Sequence, residues 1–170
     1  MPSIRSGLEN TLIAGIGDTV VSKEPGVCLK TFALGTCVAV VFWDPVTKLS
    51  GLVHIALPES SISTEKAHVL PGYFADTGIH QLHRIFLQNG YLEASKSLQV
   101  RIAGGAQILD KNETFNIGKR NVLAVKKILW SLGLGPIAED VGGEISRTVV
   151  VERDTGKMTI TTPGYAEKTL

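Results

Sequence analysis

Cysteine is scarce: 170 residues carry two, Cys28 and Cys37. Secreted domains that depend on disulfides usually carry more, so both read as free thiols of a reducing compartment. An excess of charge is missing too. With 17 basic and 16 acidic side chains the net charge is +1, so no general field draws the chain to nucleic acid or to an anionic membrane. Long apolar runs are absent; the strongest, Val38 to Trp43, is far below the roughly 18 residues of a membrane span. The first residues lead into no apolar stretch with a small-residue cleavage site, and the expectation is cytoplasmic residence. What is there is 44% hydrophobic and 19% charged, without repeats or low-complexity tracts, which excludes disordered, collagenous and coiled-coil classes. Area scaling for this mass buries roughly 70% of the unfolded surface, enough for one core. A single domain over 1–170, with its core at about 12–162, is expected.

The order of elements points to an α+β or layered α/β domain. Thr11 to Ser22 suggests strand plus turn, and Leu29 to Ala33 alternates as a half-buried strand. Val38 to Trp43 is β-branched and aromatic, and it ends at the turn chemistry of Asp44-Pro45. Leu49 to Leu57 returns as its hairpin partner. Glu59 to Tyr73, rich in Ser and Thr, lacks a steady period and is expected to be a long loop. Ile79, Leu82, Ile85 and Phe86 recur at helical spacing between Asp76, an expected N-cap, and Gly90. Leu98 to Ala103 is expected as strand, Asn121 to Leu132 as a second helix, and Ile137–Val141, Ser146–Glu152 and Lys157–Thr162 as three closing strands.

Most chemical signatures are missing. Gly15-Ile16-Gly17 lacks the third glycine of a dinucleotide fingerprint, no Walker lysine follows a glycine turn, and there is no Gly-x-Ser-x-Gly elbow. Asp76, His80 and His83 would share one helix face, a spacing that suits a solvated polar face better than a metal site. Cys37 stands apart because it follows Gly35-Thr36 at the mouth of a buried strand, with His54 in the partner strand 17 positions on. A hairpin centred near position 46 places Val38 opposite His54, next to Cys37. A neutral imidazole there would take the thiol proton and, once charged, lower the thiol pKa towards working pH. Spacing alone leaves two readings open, a reactive pair and two packed side chains. Cys28, between Val27 and Leu29, reads as a packing group. The N–H groups of the Gly35-Thr36-Cys37 turn are candidate oxyanion donors. Gly104-Gly105 and Asn116 to Asn121 are expected to make tight turns and to cap the second helix.

Leu34-Gly35-Thr36-Cys37-Val38-Ala39-Val40, Asp44-Pro45 and Gly51-Leu52-Val53-His54 through Leu57-Pro58 resemble the chemoreceptor glutamine deamidase family, CheD. Gly104-Gly105-Ala106, Asn116-Ile117-Gly118-Lys119-Arg120-Asn121, Asp140-Val141-Gly142-Gly143 and Thr155-Gly156 continue the resemblance in order along nearly the whole chain. The chain departs at Thr36, where serine is common, at Ile55-Ala56 and at Ile145-Ser146. The resemblance implies a three-layer α/β/β fold and a cysteine hydrolase that converts glutamines of chemoreceptor cytoplasmic helices to glutamate. It further implies Cys37 as nucleophile, His54 as base, Thr31 as the group that orients the imidazole, no cofactor or metal, and the CheC phosphatase as partner. A non-catalytic adaptor for receptor or phosphatase, and a hydrolase of receptor methyl esters or peptides, are the rival expectations.

Overall fold

The computed structural model describes residues 10–108 and 115–170. Its elements run β1 (Thr11–Ile13), β2 (Thr19–Ser22), β3 (Cys28–Leu34), β4 (Val38–Asp44), β5 (Leu49–Ile55), α1 (Thr64–Val69), α2 (Ala75–Gln88), β6 (Gln99–Gly104), α3 (Ile117–Ser131), β7 (Pro136–Val141), β8 (Arg147–Glu152), β9 (Met158–Thr161) and β10 (Lys168–Thr169). Two five-stranded sheets result, ordered β1-β3-β8-β9-β10 and β2-β5-β4-β6-β7.

The layering follows from which strands lack polar faces. Every residue of β4 and β5 is buried, because the second sheet is covered on both sides. On one side Val38, Val40, Phe42 and Val53 pack against Ile79, Leu82 and Phe86 of α2 and Val125 and Leu129 of α3. On the other, Ala39, Val41 and Leu52 meet Leu29, Val149, Val151 and Ile160 of the first sheet. The chain is thus an α/β/β sandwich, the fold that the sequence led us to expect. β8 alternates buried with half-buried residues, as a strand with one face on the core should. Gly51 lets α2 approach closely: a Cβ there would lie 2.7 Å from Leu82 Cδ1 and 2.8 Å from Phe86 Cε2. Phe86 uses the space to meet Phe42 edge-on, centroids 5.5 Å apart.

Three local expectations need correction. Residues 59–73 are not an unstructured loop; they hold α1 between two 3₁₀ turns. Ser63 accepts from the Lys66 N–H at the start of α1, and α1 buries no residue, so no apolar period announced it. The N-cap of α2 is Phe74, not Asp76. The Asp76 carboxylate instead receives the backbone N–H and the hydroxyl of Ser60, tying the preceding segment down. The hairpin register is Ala39↔His54 and Val38↔Ile55, one residue away from the expected pairing. Its cause is the turn: Asp44 pairs with Leu49, and the Asp44 carboxylate accepts from the Val46 and Thr47 N–H groups. Residues 45–48 therefore form an even loop whose centre falls between positions 46 and 47.

Candidate active site

Three strands converge on the site, β3 bringing Thr31, β5 bringing His54 and the entrance of β4 bringing Cys37. His54 sits directly across from Ala39, so both side chains face the first sheet. Cys37 precedes Ala39 by two residues and packs against the same inter-sheet core, on the face of the sheet that carries His54. Cys37 is partly exposed while His54 is 2% exposed. Cys37 thus borders solvent while the His54 imidazole is enclosed, and no hydrogen bond joins Nε2 to the Cys37 sulfur.

Thr31 is fully buried, and its hydroxyl lies 2.7 Å from His54 Nδ1 and 2.7 Å from the Ala14 carbonyl oxygen. A hydroxyl has one proton, and a carbonyl oxygen only accepts. Thr31 therefore donates to Ala14 and accepts from Nδ1–H, which leaves Nε2 unprotonated. Nε2 is buried without a partner, a basic lone pair held in the layer that Cys37 faces. The backbone fixes the same ring: Gly17 N–H donates to the His54 carbonyl at 2.8 Å, and His54 N–H to the Asp18 carbonyl at 3.1 Å. β3 reaches this position just ahead of an irregularity, where its pairing with β8 shifts between Thr31 and Leu34.

Burial lowers the His54 pKa to about 4, partly opposed by the charge of Asp18. Burial also raises the Cys37 thiol above its ordinary value, opposed by its own backbone N–H. Both shifts favour the uncharged forms, a neutral thiol and a neutral imidazole. A proton must move at the moment the sulfur attacks.

The backbone around Cys37 is held by the turn after β6. Gly105 N–H donates to the Cys37 carbonyl and Ala106 N–H to the Gly35 carbonyl, each at 2.8 Å. Gly104 has φ +115°, and a Cβ on it would lie 2.2 Å from the Cys37 oxygen; only glycine allows that approach. Beside it opens a cleft of about 370 Å³ lined in part by Gly105, Gln107, Asn116 and Lys119.

Asn116 is not a side-chain cap for α3; its carboxamide oxygen accepts from Gln107 at the cleft wall. Asn121 was expected to be part of the helix architecture, yet it is fully buried and donates to the carbonyls of Thr36 and Ala56. Its sequence signal is a polar residue on the stripe continued by Val125 and Leu129. The expected polar face of α2 is only partly solvated: His80 is exposed, whereas His83 is buried and lies 3.3 Å from Glu93. Among the described residues no group of three or more His, Cys, Asp or Glu side chains is placed to hold a metal ion. Among them, too, no helix is long and apolar enough to cross a membrane. Cys28 is half-buried, its thiol raised by burial and by Glu152 and Asp154, with no imidazole among those influences.

Residues 56–162 match the family described as CheD chemotactic sensory transduction. A protein of Syntrophotalea carbinolica named probable chemoreceptor glutamine deamidase CheD is 52% identical over 156 residues, which span 92% of this chain and 96% of that one. The chemoreceptor glutamine deamidase CheD of Thermotoga maritima is 40% identical over 156 residues, 92% of this chain and 94% of its own. A probable chemoreceptor glutamine deamidase CheD of Pyrococcus horikoshii is 38% identical over 147 residues, 85% and 87% of the two chains. The family match begins at residue 56, after Thr31, Cys37 and His54, whereas the span shared with the Syntrophotalea carbinolica protein takes in 92% of the chain.

Proposed function

The chain belongs to the CheD family, and we propose that it is a protein-glutamine deamidase acting on the cytoplasmic helices of chemoreceptors. The observation that carries the chemistry is the 2.7 Å bond between Thr31 and His54 Nδ1. It leaves Nε2 with a free lone pair on the sheet face that also carries the partly exposed Cys37.

In this mechanism Cys37 Sγ attacks the side-chain amide carbon while its proton passes to His54 Nε2. The C=O electrons move to oxygen, and the oxyanion is met by backbone N–H groups of the Gly35-Thr36-Cys37 turn. The imidazolium then protonates the amide nitrogen, the C–N bond breaks and ammonia leaves a thioester. Water attacks the thioester as Nε2 removes its proton, and the C–S bond breaks to give glutamate. Cys37 recovers the proton from His54. Starting from a neutral pair suits this sequence, because the group that accepts the thiol proton must also donate it to ammonia. No step calls on a cofactor. The partners of this reading are the cytoplasmic helices of the receptor and the CheC phosphatase, which this chain meets in the cytoplasm.

The test is incubation with a receptor cytoplasmic fragment, followed by ammonia release and peptide mass spectrometry. Wild type should convert glutamines to glutamates, and Cys37→Ala and His54→Ala should not. The double variant should be no worse than either single one, because the two groups act as a unit. Receptor binding without any Cys37-dependent conversion would mean an adaptor instead.

A further inference from the structure

Asn121 connects two parts of the site that the sheet leaves unconnected. The β4–β5 ladder ends at Val38↔Ile55. One rung further, Cys37 would face Ala56, but the Ala56 N–H turns to the Tyr73 carbonyl and the Cys37 carbonyl is taken by Gly105. The strands separate at the residue that bears the thiol. Across this gap the Asn121 Nδ2 group donates to Thr36 O and to Ala56 O, both at 2.9 Å. One carbonyl immediately precedes Cys37, and the other lies two residues after His54. A single planar amide thus stands where the missing rung would be.

Asn121 has no exposed surface; its Nδ2 pairs two backbone carbonyls while its Oδ1 is buried without a partner. An apolar side chain there would leave both carbonyls unpaired, so the amide holds the two segments together at the cost of one unpaired acceptor. On the reading of Cys37 and His54 given above, we propose that Asn121 is a positioning residue. It sets the separation between the nucleophile's turn and the base's strand, so that the thiol swings onto Nε2 in line.

A double-mutant cycle on thiol chemistry tests this without any receptor. Iodoacetamide alkylation of Cys37 at pH 7 is measured by peptide mapping in wild type, His54→Ala, Asn121→Ala and the double variant. His54→Ala should slow alkylation by about tenfold or more in the wild-type background, since a placed base contributes factors of this order or larger. In the Asn121→Ala background removal of His54 should change the rate by less than about twofold, because the coupling is gone. Leu129→Ala, buried on the same face of α3, should lower the melting temperature and keep the full His54 effect. If Asn121→Ala does not fold, Asn121→Asp, which keeps the volume and as a buried neutral acid can donate to only one of the two carbonyls, is held to the same criterion. An undiminished His54 effect in the folded Asn121 variant overturns the proposal, and so does wild-type alkylation indifferent to His54. Failure of the deamidation reading alone is distinguishable: wild type then leaves a receptor fragment unchanged while the alkylation cycle still shows the coupling.

Discussion

Replacing Thr31 with valine isolates the orienting hydroxyl. Valine is also β-branched and suits a buried strand, so β3 keeps its shape while one oxygen and its proton vanish. Two buried groups lose their partner at once: His54 Nδ1–H and, from the other lone contact, the Ala14 carbonyl. A buried donor left unpaired costs about 1–3 kcal/mol. The same energy is what now favours the Nδ1–H tautomer over the Nε2–H tautomer, in which the base has lost its lone pair. Removing it shifts the tautomer equilibrium by a factor of about 5–150 towards the Nε2–H form and also frees the ring to leave its position, so turnover should fall about 10- to 100-fold. KM should stay within about threefold, because Thr31 is fully buried and touches no substrate. Steady-state ammonia release from a receptor fragment gives the kinetics, and nitrogen NMR of the His54 ring reports the tautomer directly. Thr31→Ser, which keeps the hydroxyl, should restore most of the rate. A folded Thr31→Val protein with turnover within twofold of wild type, or with Nδ1–H still fully populated, would refute the argument.

The pKa of His54, about 4 when folded against about 6.5 when unfolded, means that the unfolded chain binds the proton more readily between those values. Stability from this group is therefore complete above pH 6.5 and lost as pH falls towards 4. Urea unfolding at pH 4.5 should show wild type losing about 2–3 kcal/mol more than His54→Gln relative to pH 7; equal losses would place the charged imidazole in water. Iodoacetamide at limiting concentration should label Cys37 before Cys28, since both thiols are raised by burial but one has a base in reach; preferential labelling of Cys28 removes Cys37 from the nucleophile's role. Gly104→Ala combines a positive φ with a Cβ contact of 2.2 Å to Cys37 O. It should cost about 2–6 kcal/mol in chemical denaturation and slow Cys37 alkylation, whereas unchanged values would mean the β4 entrance tolerates a shift.

The elements that could be read from sequence are those whose burial leaves a pattern. β4 and β5 are wholly buried and mostly apolar because both faces are covered, and α2 and α3 carry stripes at helical spacing because one face is. α1 buries nothing and is made by the Ser63 cap, so periodicity is blind to it. β10, Lys168–Thr169, is exposed and held by pairing to β9, again without an apolar signature. Thr31 shows the complementary limit. Its residue type is ordinary for a strand, and its meaning depends on Ala14 and His54, which lie 17 and 23 positions away.

The register matters more than its single residue suggests. Pairing Val38 with His54, as the centre near position 46 implied, places those two on one face of the sheet and sends Cys37, one residue earlier, to the opposite face. Nearness along the strand would then have separated thiol from imidazole by the thickness of the sheet. The pairing in the structure, Ala39 with His54, returns Cys37 to the His54 face because residues two apart share a side. What decides between these outcomes is the even loop at 45–48, held by the Asp44 carboxylate on the Val46 and Thr47 N–H groups and the Thr47 hydroxyl. A turn at the far end of the hairpin therefore selects which face Cys37 occupies, while at the near end Asn121 bridges the Thr36 and Ala56 carbonyls where the ladder has ended.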